Sequence, residues 1–194
     1  MCGRFYIQVS QKKLDEILDE VANNTADKTD LMTLKVQGEI FPTNIVPVET
    51  ASGLRAMKWG FATSKRDVIN ARSETVWEKP MFRSAVLERR CVVPATGYYE
   101  WMPNEGGKKT KYQFSLANEE QIFLVGCYRQ DRETRIPSFV ILTKDATPEF
   151  AKIHNRMPVV FTREQADLWL HSDHIDFDEI IHDSVVDLEY SQTK

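Results

Sequence analysis

Residues 91–101 read CVVPATGYYEW, a stretch of β-branched and aromatic residues that is typical of a β-strand. Similar short apolar runs lie on both sides of it, and turn residues such as NEGG at 104–107 separate them. These runs cover residues 45–49, 54–59, 111–116, 122–128 and 136–143. Because strands dominate the middle of the chain and helical segments its ends, the pattern predicts an α+β fold with a mostly antiparallel, barrel-like sheet flanked by helices.

The N-terminal part of the chain carries the pattern of an amphipathic helix. Within residues 10–22, apolar residues recur at the spacing of one helix face, and Ser10 stands where an N-cap is expected. The apolar residues of this face are Leu14, Ile17, Leu18 and Val21. We expect this helix to cover the core, and we expect the polar, aperiodic residues 23–35 to form a loop.

Helix signals recur in the second half of the chain. The predicted helical segments are residues 73–77, residues 80–89, a segment that begins at Thr147-Pro148, and residues 166–170. The first two form a broken pair, and Pro80 suits a first helical turn. Thr162 and Gln165 have the spacing of a capping box ahead of the last segment. The C-terminal part, residues 161–194, is therefore predicted to be helical, and its composition is acidic.

The chain has 194 residues, of which 42% are hydrophobic and 28% charged, and this composition suits one domain over residues 1–194. Its apolar runs are far shorter than the ~20 residues that cross a bilayer, which excludes a membrane protein. We find no secretory signal and expect a cytoplasmic monomer. The three cysteines fit neither a disulfide framework nor a zinc site, so we expect no metal, and Cys91 and Cys127 are predicted to be buried.

Charge is distributed unevenly along the chain although the net charge is only −4. Residues 52–111 contain 12 Lys/Arg and 6 Asp/Glu, whereas residues 145–194 contain 4 Lys/Arg and 11 Asp/Glu. A basic face that holds phosphates and an acidic face turned elsewhere would produce this pattern. Two solvated surfaces without a partner would produce it equally well.

The position of Cys2 indicates a specific chemistry. Removal of Met1 would leave Cys2 with an α-amine and a thiol on adjacent carbons. The two groups titrate near ~8 and ~8.5, so both have a usable deprotonated fraction at neutral pH. An aldehyde would condense with the amine to an imine, and the thiol would then close a five-membered thiazolidine without a cofactor. The alternative is a small residue at a frayed terminus.

Four short polar motifs lie among apolar or turn-like residues. They are CGR at 2–4, NARSET at 70–75, GYYEW at 97–101 and HNRMP at 154–158. Each motif alone is compatible with a helix cap, a surface ion pair or core packing. Brought together, they would supply a nucleophile, a carboxylate, an imidazole and anion-binding groups, which are the parts of an imine-forming site.

These motifs occur in the order of a known family. Its pattern is matched by MCGRF at 1–5, WGF at 59–61, NARSET at 70–75, RCVVPATGYYEW at 90–101 and HNRMP at 154–158. The chain therefore resembles the SOS-response-associated peptidase (SRAP) family from residue 1 to about residue 160. The resemblance implies a DNA-repair enzyme that senses and shields abasic sites in single-stranded DNA. Its covalent product would be a thiazolidine crosslink between Cys2 and the ring-opened sugar.

The resemblance also implies roles for individual residues. Asn70 and Arg72 would hold the terminus and flanking phosphates, Glu100 would donate a proton, and His154 would move protons and support lyase cleavage by β-elimination. Arg4 and Arg156 would contact phosphates. Apolar walls for unstacked bases would come from Pro42, Trp59, Phe61, Met157 and Pro158. No cofactor is implied, and a bacterial member would act at the nucleoid.

One segment departs from the family pattern. Members commonly read Trp-Gly-Leu-Ile-Pro-x-Trp, but residues 59–65 of this chain read WGFATSK. The proline and the second tryptophan are missing, and the adjacent Lys65 and Arg66 would compensate by neutralising phosphate.

Two other functions compete with crosslinking. A thiol peptidase or self-processing hydrolase would use Cys2 with His154 and Glu100. A non-catalytic single-strand binding module would bind intact and abasic DNA equally, without a covalent product. Reaction with an abasic single strand distinguishes the three functions.

Overall fold

The structure is a computed structural model that describes residues 2–25, 28–117, 119–131, 136–172 and 174–193. Its strands are β1 Arg4–Ile7, β2 Gly38–Ile40, β3 Ile45–Thr50, β4 Gly53–Trp59, β5 Asn70–Arg72, β6 Arg90–Ala95, β7 Gly97–Pro103, β8 Lys109–Ser115, β9 Ile122–Gln130, β10 Pro137–Asp145, β11 Arg156–Pro158, β12 Val160–Phe161 and β13 Glu189–Gln192. Its α-helices are α1 Gln11–Asn24, α2 Pro80–Glu88, α3 Arg163–His171 and α4 Phe177–His182.

A closed barrel forms the centre of the fold. Its strands follow the order β4, β3, β6, β9 and β10, and β10 returns to pair with β4. All of these pairs are antiparallel except the closing pair of β10 with β4, which is parallel. Closure removes the open sheet edges that would otherwise be available for pairing. The predicted α+β class with a mostly antiparallel, barrel-like sheet is confirmed.

A second sheet of five antiparallel strands packs beside the barrel in the order β13, β8, β7, β1 and β2. The prediction of one strand over residues 91–101 is wrong, because the chain leaves the barrel after β6 and enters this sheet with β7. Thr96 marks the change, since its backbone N–H donates to the Tyr6 carbonyl at 2.9 Å and its hydroxyl to the Gln8 carbonyl at 3.1 Å.

Gly97 follows this change of sheet and lies opposite Tyr6. A methyl group at Gly97 would overlap the carbonyl oxygen of Phe114 and approach the Tyr6 hydroxyl to 2.6 Å. Only glycine therefore allows β1, β7 and β8 to approach this closely. This approach places the next residues of β7, including Glu100, beside the start of β1.

Helix α1 confirms the predicted N-terminal helix. The Ser10 side chain accepts a hydrogen bond from the Lys13 N–H at 3.4 Å and caps the helix. Ile17 and Val21 are buried as predicted, whereas Leu18 is 39% exposed, because the helix presents a narrower face to the barrel than the spacing indicates. The prediction of an unstructured loop over residues 23–35 is also wrong, since Lys28–Thr33 form a 3₁₀ helix; residues 26 and 27 lie outside the described residues.

Some of the helices predicted in the second half of the chain are confirmed, and others are wrong. Pro80 begins α2, and the 3₁₀ turn Ser73–Thr75 precedes it, which confirms a broken pair. The capping box of Thr162 and Gln165 is formed at the start of α3. The signal at Thr147 leads only to the single 3₁₀ turn Phe150–Lys152, because the chain turns back at once to form β11. Residues 161–194 were predicted to be helical, and α3 and α4 confirm this prediction for part of the segment. The prediction is wrong for Glu189–Gln192, because these residues form β13 and pair with β8 at the edge of the five-stranded sheet. No helix in the described ranges is long and apolar enough to cross a bilayer.

Buried side chains form two large clusters. One fills the barrel and the space between it and the inner face of the five-stranded sheet, and it contains Cys2, Trp59, Tyr98 and Cys91. The other lies between the outer barrel wall and helices α2, α3 and α4, and it contains Cys127. Burial of both internal cysteines is confirmed. Cys2 therefore lies at the junction of the two sheets, together with side chains from both.

The close approach at Gly97 generates a test of stability. We expect Gly97→Ala to lower the free energy of unfolding by about 3 kcal/mol, the upper end of overpacking costs, because a backbone carbonyl blocks the added methyl. Gly107→Asn is the matched control, since Gly107 has a positive φ in open space, where Asn costs at most about 1 kcal/mol. Urea denaturation measures both, and equal effects would contradict this account of Gly97.

Candidate active site at the amino terminus

Cys2 is held by a hydrogen bond from the barrel. The Asn70 side-chain amide Nδ2 donates to the Cys2 carbonyl at 2.8 Å. Asn70 begins β5, which runs parallel to β10 and is fixed by the pairing of Asn70 with Ile141. The Asn70 Oδ1 atom is buried and accepts no hydrogen bond from the part of the chain that the structure describes. The barrel thus fixes the backbone of Cys2 and leaves a polar oxygen beside it. Met1 lies outside the described residues.

The Cys2 thiol is fully buried. Burial raises the pKa of this thiol far above its ordinary value, and the nearby Glu100 carboxylate raises the pKa further. A weak contact of 3.9 Å joins Sγ to the Arg4 carbonyl. The thiol is therefore protonated at neutral pH. For it to act as a nucleophile, another group must accept its proton.

Glu100 lies on the buried face of β7. Arg4 of β1 pairs with Tyr99 of β7. Glu100 is the next residue of β7, and because the strands are antiparallel it lies beside the segment that leads from Arg4 back to Cys2. Burial raises the pKa of the Tyr98 hydroxyl well above its usual range, and the Cys2 and Glu100 charges raise it further. The pKa values therefore show that three side chains lie close enough to affect one another, those of Cys2, Tyr98 and Glu100. Sequence reasoning treated Tyr98 only as part of a motif and assigned it no role.

His154 has a defined orientation. Its Nδ1 atom accepts a hydrogen bond from the backbone N–H of Arg156 at 3.0 Å. The same Nδ1 atom lies 3.2 Å from the Arg156 carbonyl oxygen, so both backbone groups of Arg156 hold this side of the ring. The turn of residues 154–156, between the 3₁₀ turn and β11, thus fixes the orientation of the imidazole.

The Arg156 side chain is enclosed by its own partners. Its guanidinium donates to both Glu74 oxygens at 2.6 and 2.9 Å, to Asp145 Oδ1 at 2.5 Å and to the Thr143 carbonyl at 2.6 Å. Glu74 belongs to the 3₁₀ turn after β5, and Thr143 and Asp145 belong to the end of β10. In this structure the Arg156 side chain therefore connects the two motifs, while its two Nη atoms are bound by carboxylates and a carbonyl rather than directed at solvent.

Two other arginines that were expected to contact phosphates, Arg72 and Arg4, are more exposed than Arg156. Arg72 is exposed at the end of β5, two residues from Asn70. Arg4 is partly exposed, and its Nη1 atom donates to Glu39 Oε2 at 2.8 Å. Both cations flank the segments that hold Cys2, so the structure brings Cys2, Asn70, Glu100, Arg4 and Arg72 into one region.

The expected apolar walls lie mainly in the interior. Trp59, Phe61 and Met157 are fully or almost fully buried, and Pro158 is buried in β11. The Trp59 indole N–H donates to the Ile69 carbonyl at 3.0 Å, and its ring packs against Phe5 and Phe139. Their present role is core packing. Pro42 is half-buried, and its neighbour Phe41, which sequence reasoning missed, is 40% exposed.

The segment that departs from the family pattern forms a compact turn. The Thr63 hydroxyl donates to the Arg66 carbonyl at 2.7 Å and accepts a hydrogen bond from the Lys65 N–H at 3.3 Å. Lys65 and Arg66 are exposed. The Arg129 guanidinium covers the Phe61 ring at 4.4 Å. This turn presents cations where an aromatic ring was expected from the family pattern.

No group of three or more His, Cys, Asp or Glu side chains within the described ranges has the arrangement of a metal site. The residues gathered at the terminus are thus a thiol, an amide, a carboxyl group and two cations. With a free α-amine on Cys2, this set can perform carbonyl addition and proton transfer.

The chain is similar in sequence to named proteins of two bacteria. It is 27% identical over 198 residues to the abasic site processing protein YoqW of Bacillus subtilis, covering 92% of this chain and 84% of the relative. It is 32% identical over 120 residues to the abasic site processing protein YedK of Escherichia coli, covering 59% of this chain and 54% of that protein.

Solved structures support the fold. A protein from Bacteroides thetaiotaomicron superimposes with a TM-score of 0.77 at 22% identity, covering 100% of this chain and 92% of that one. A protein from Bordetella bronchiseptica gives the same TM-score at 21% identity, with 100% of both chains covered. The family model described as SOS response associated peptidase (SRAP) matches residues 1–192, which extends the similarity beyond residue 160. The chain belongs to the SRAP family.

Proposed function

We propose that this protein senses and shields abasic sites in single-stranded DNA by a covalent crosslink from Cys2. The observation that carries the proposal is the hydrogen bond from Asn70 to the Cys2 carbonyl, with the Glu100 carboxyl group beside the thiol. An amino terminus held by a barrel strand is unusual, because terminal residues generally fray. Membership of the SRAP family and the names of its relatives, abasic site processing proteins, support the choice of substrate.

The reaction requires a free amine, so we propose that Met1 is removed. The α-amine of Cys2 attacks the aldehyde carbon of the ring-opened sugar, and loss of water leaves an imine. The thiol then adds across this double bond. Its sulfur bonds to carbon and its proton passes to nitrogen. The product contains all the atoms of protein and DNA less one water molecule, and no oxidant, metal or cofactor takes part.

Proton transfer is assigned to Glu100 and His154. Because the Cys2 thiol is protonated, its proton needs a carrier, and Glu100 is the carboxyl group that already interacts with it. The same carboxyl group would donate a proton to the sugar ring oxygen during opening, and reversal of the crosslink would use the steps backwards. His154, whose ring is oriented by the Arg156 backbone, would serve the sugar oxygens and support β-elimination by a lyase reaction.

The DNA strand would contact the cations around this pocket. Arg72 and Arg4 flank the segments that hold Cys2, and the exposed Lys65 and Arg66 extend the basic region. Pro42 and its exposed neighbour Phe41 offer apolar contact to an unstacked base. We place the protein as a monomer in the cytoplasm, at the nucleoid in a bacterium.

A thiol peptidase is the second function, and the description of the family favours it. Thiol peptidases depend on a thiolate at neutral pH, which a lowered pKa supplies. The raised pKa of the Cys2 thiol disfavours this mechanism. A thiol that adds to an adjacent imine needs no such activation, because the two groups are held in one residue.

Intact-mass spectrometry of protein mixed with an abasic single strand tests the proposal. We expect protein without Met1 and an adduct at the summed mass less one water. Cys2→Ala should give no stable adduct, because the ring cannot close. Cys91→Ala, which removes a buried thiol of the barrel, is the matched control and should react as the parent does. A full adduct from Cys2→Ala, or from protein that retains Met1, would contradict the thiazolidine mechanism.

The role of Glu100 makes a kinetic prediction. Glu100→Gln keeps the size and most hydrogen bonds of the side chain but cannot carry a proton, so adduct formation or reversal should slow by roughly 10²-fold. Circular dichroism checks the fold, and quenched time courses give the rates. Glu105→Gln, in the exposed turn between β7 and β8, is the control and should leave the rates unchanged. Parent rates in a folded Glu100→Gln protein would remove Glu100 from the mechanism.

A further inference from the structure

The outer face of the five-stranded sheet carries a cluster of cations and aromatic rings around a single carboxylate. We call it the Glu39 cluster, and its members are Arg4, Lys35, Glu39, Phe41, Tyr99, Trp101 and Lys111. Strand pairing produces it, because residues directly opposite each other on neighbouring strands share a face. Arg4 lies opposite Tyr99, and Trp101 lies opposite Lys111.

Glu39 binds two cations with different oxygens. Arg4 donates to Oε2 at 2.8 Å, and the Lys111 ammonium donates to Oε1 through a short contact. The hydrogen bond from Lys111 is the largest effect on the pKa of Glu39 and lowers it; burial opposes this effect, and the hydrogen bond from Arg4 and the charges of both cations lower the pKa further. The carboxylate therefore stays ionised and occupies the position between the two cations. Two anionic oxygens bound by an Arg and a Lys are also the arrangement in which proteins hold a phosphate.

Aromatic rings fix both cations in place. The Arg4 guanidinium lies 3.8 Å from the centre of the Phe41 ring, and the Lys111 ammonium lies 3.7 Å from the centre of the Tyr99 ring. Lys35 lies 5.2 Å from the Phe41 ring, so the cluster has three cations against one carboxylate. These contacts with the rings do not involve Glu39, so they continue to favour the present positions of Arg4 and Lys111 when the carboxylate leaves.

Glu39 can leave without disturbing the sheet. It belongs to β2, the three-residue edge strand, and its side chain is 35% exposed. A change of side-chain rotamer would move the carboxylate into solvent while the backbone stays paired with β1. The cluster is also close to the proposed reaction, since Arg4 is two residues from Cys2 and Tyr99 precedes Glu100.

We propose that Glu39 occupies a phosphate site between Arg4 and Lys111 and that a backbone phosphate of the bound DNA strand displaces it. This inference rests on the proposed function, and it adds Lys111 as a binding residue and Glu39 as a competing internal anion. A DNA strand that binds weakly or in the wrong position does not displace the carboxylate, whereas a strand whose abasic site lies at Cys2 does. Glu39 thus lowers the affinity for DNA and makes this affinity depend on the correct position of the strand.

Salt-dependent binding tests this exchange. The parent protein is the Cys2→Ala variant, which isolates noncovalent binding, and the probe is a fluorescein-labelled single strand that contains a tetrahydrofuran abasic analogue. Fluorescence anisotropy at several NaCl concentrations gives the Kd and the slope of log affinity against log salt. Thermal unfolding of each variant confirms that it is folded.

Glu39→Gln should lower the Kd roughly fivefold at low salt, the upper range for one partly exposed ion pair. The salt slope should stay the same, because the same phosphate is neutralised in both proteins once it has displaced Glu39. Adding Lys111→Ala to Glu39→Gln should abolish the gain in affinity, because the second cation of the site is lost, and should flatten the slope by about 0.7, the contribution of one neutralised phosphate on a single strand.

Glu49→Gln is the matched control. It makes the same change of charge at a carboxylate that Arg163 binds at 2.9 Å on the barrel strand β3. Its Kd should stay within about twofold of the parent. An equal gain from Glu49→Gln, or no gain from Glu39→Gln in a parent that binds the probe, would overturn the inference and leave the proposed function intact. A parent that does not bind the probe would overturn both.

Discussion

The hydrogen bond from the Asn70 amide to the Cys2 carbonyl is the interaction on which the candidate site depends. It joins the start of the five-stranded sheet to a strand that pairs with the barrel. Besides this bond, the terminal residues are held by β1 and by the burial of Cys2 in the core, and chain ends that lack such contacts move freely. Proximity of the amine, the thiol and the Glu100 carboxyl group is useful only if all three are held together, since catalysis by positioning is lost when one group moves.

Strand β10 organises the remaining groups. One of its edges pairs with β5 and the other with β11, so two motifs distant in sequence meet at its end. Arg156 and Glu74, 82 positions apart, form the ion pair that crosses this end. A guanidinium whose two Nη atoms are bound by two carboxylates and a carbonyl is held in place, and the backbone N–H of the same residue orients His154. The arginines of the site therefore fall into two groups. Arg156 is enclosed and positions other residues, whereas Arg4 and Arg72 are cations at the surface.

Much of this fold could be predicted from hydrophobic patterns and capping signals. The long strands β3, β4, β9 and β10 and the caps of α1 and α3 were visible in the sequence, since each has a local physical cause. The three-residue strands β5 and β11 were not, because their pairing with β10 depends on contacts far along the chain. The break at Thr96 was missed for a similar reason: the apolar pattern continues through it, although the strands belong to different sheets.

The candidate site was predictable only in part. Family motifs indicated which residues matter, and the structure gathers Cys2, Asn70 and Glu100 as the motif order implied. Motifs do not indicate burial, and so Trp59 and Phe61 were expected to form walls for unstacked bases, although they pack in the core. The Glu39 cluster was invisible, since its cations and rings come from strands whose register no local pattern defines.

The central claim is that Asn70 makes Cys2 reactive by holding its backbone. The most direct measurement is the single-turnover rate of adduct formation by Asn70→Ala on an abasic single strand, with the removal of Met1 verified by mass. Asn104→Ala is the control, because the Asn104 amide bonds Thr110 in an exposed turn at 2.7 Å. The account predicts that Asn70→Ala slows the reaction by roughly 10²-fold, the cost of a misplaced reacting group, while Asn104→Ala does not. A rate equal to that of the control would contradict it.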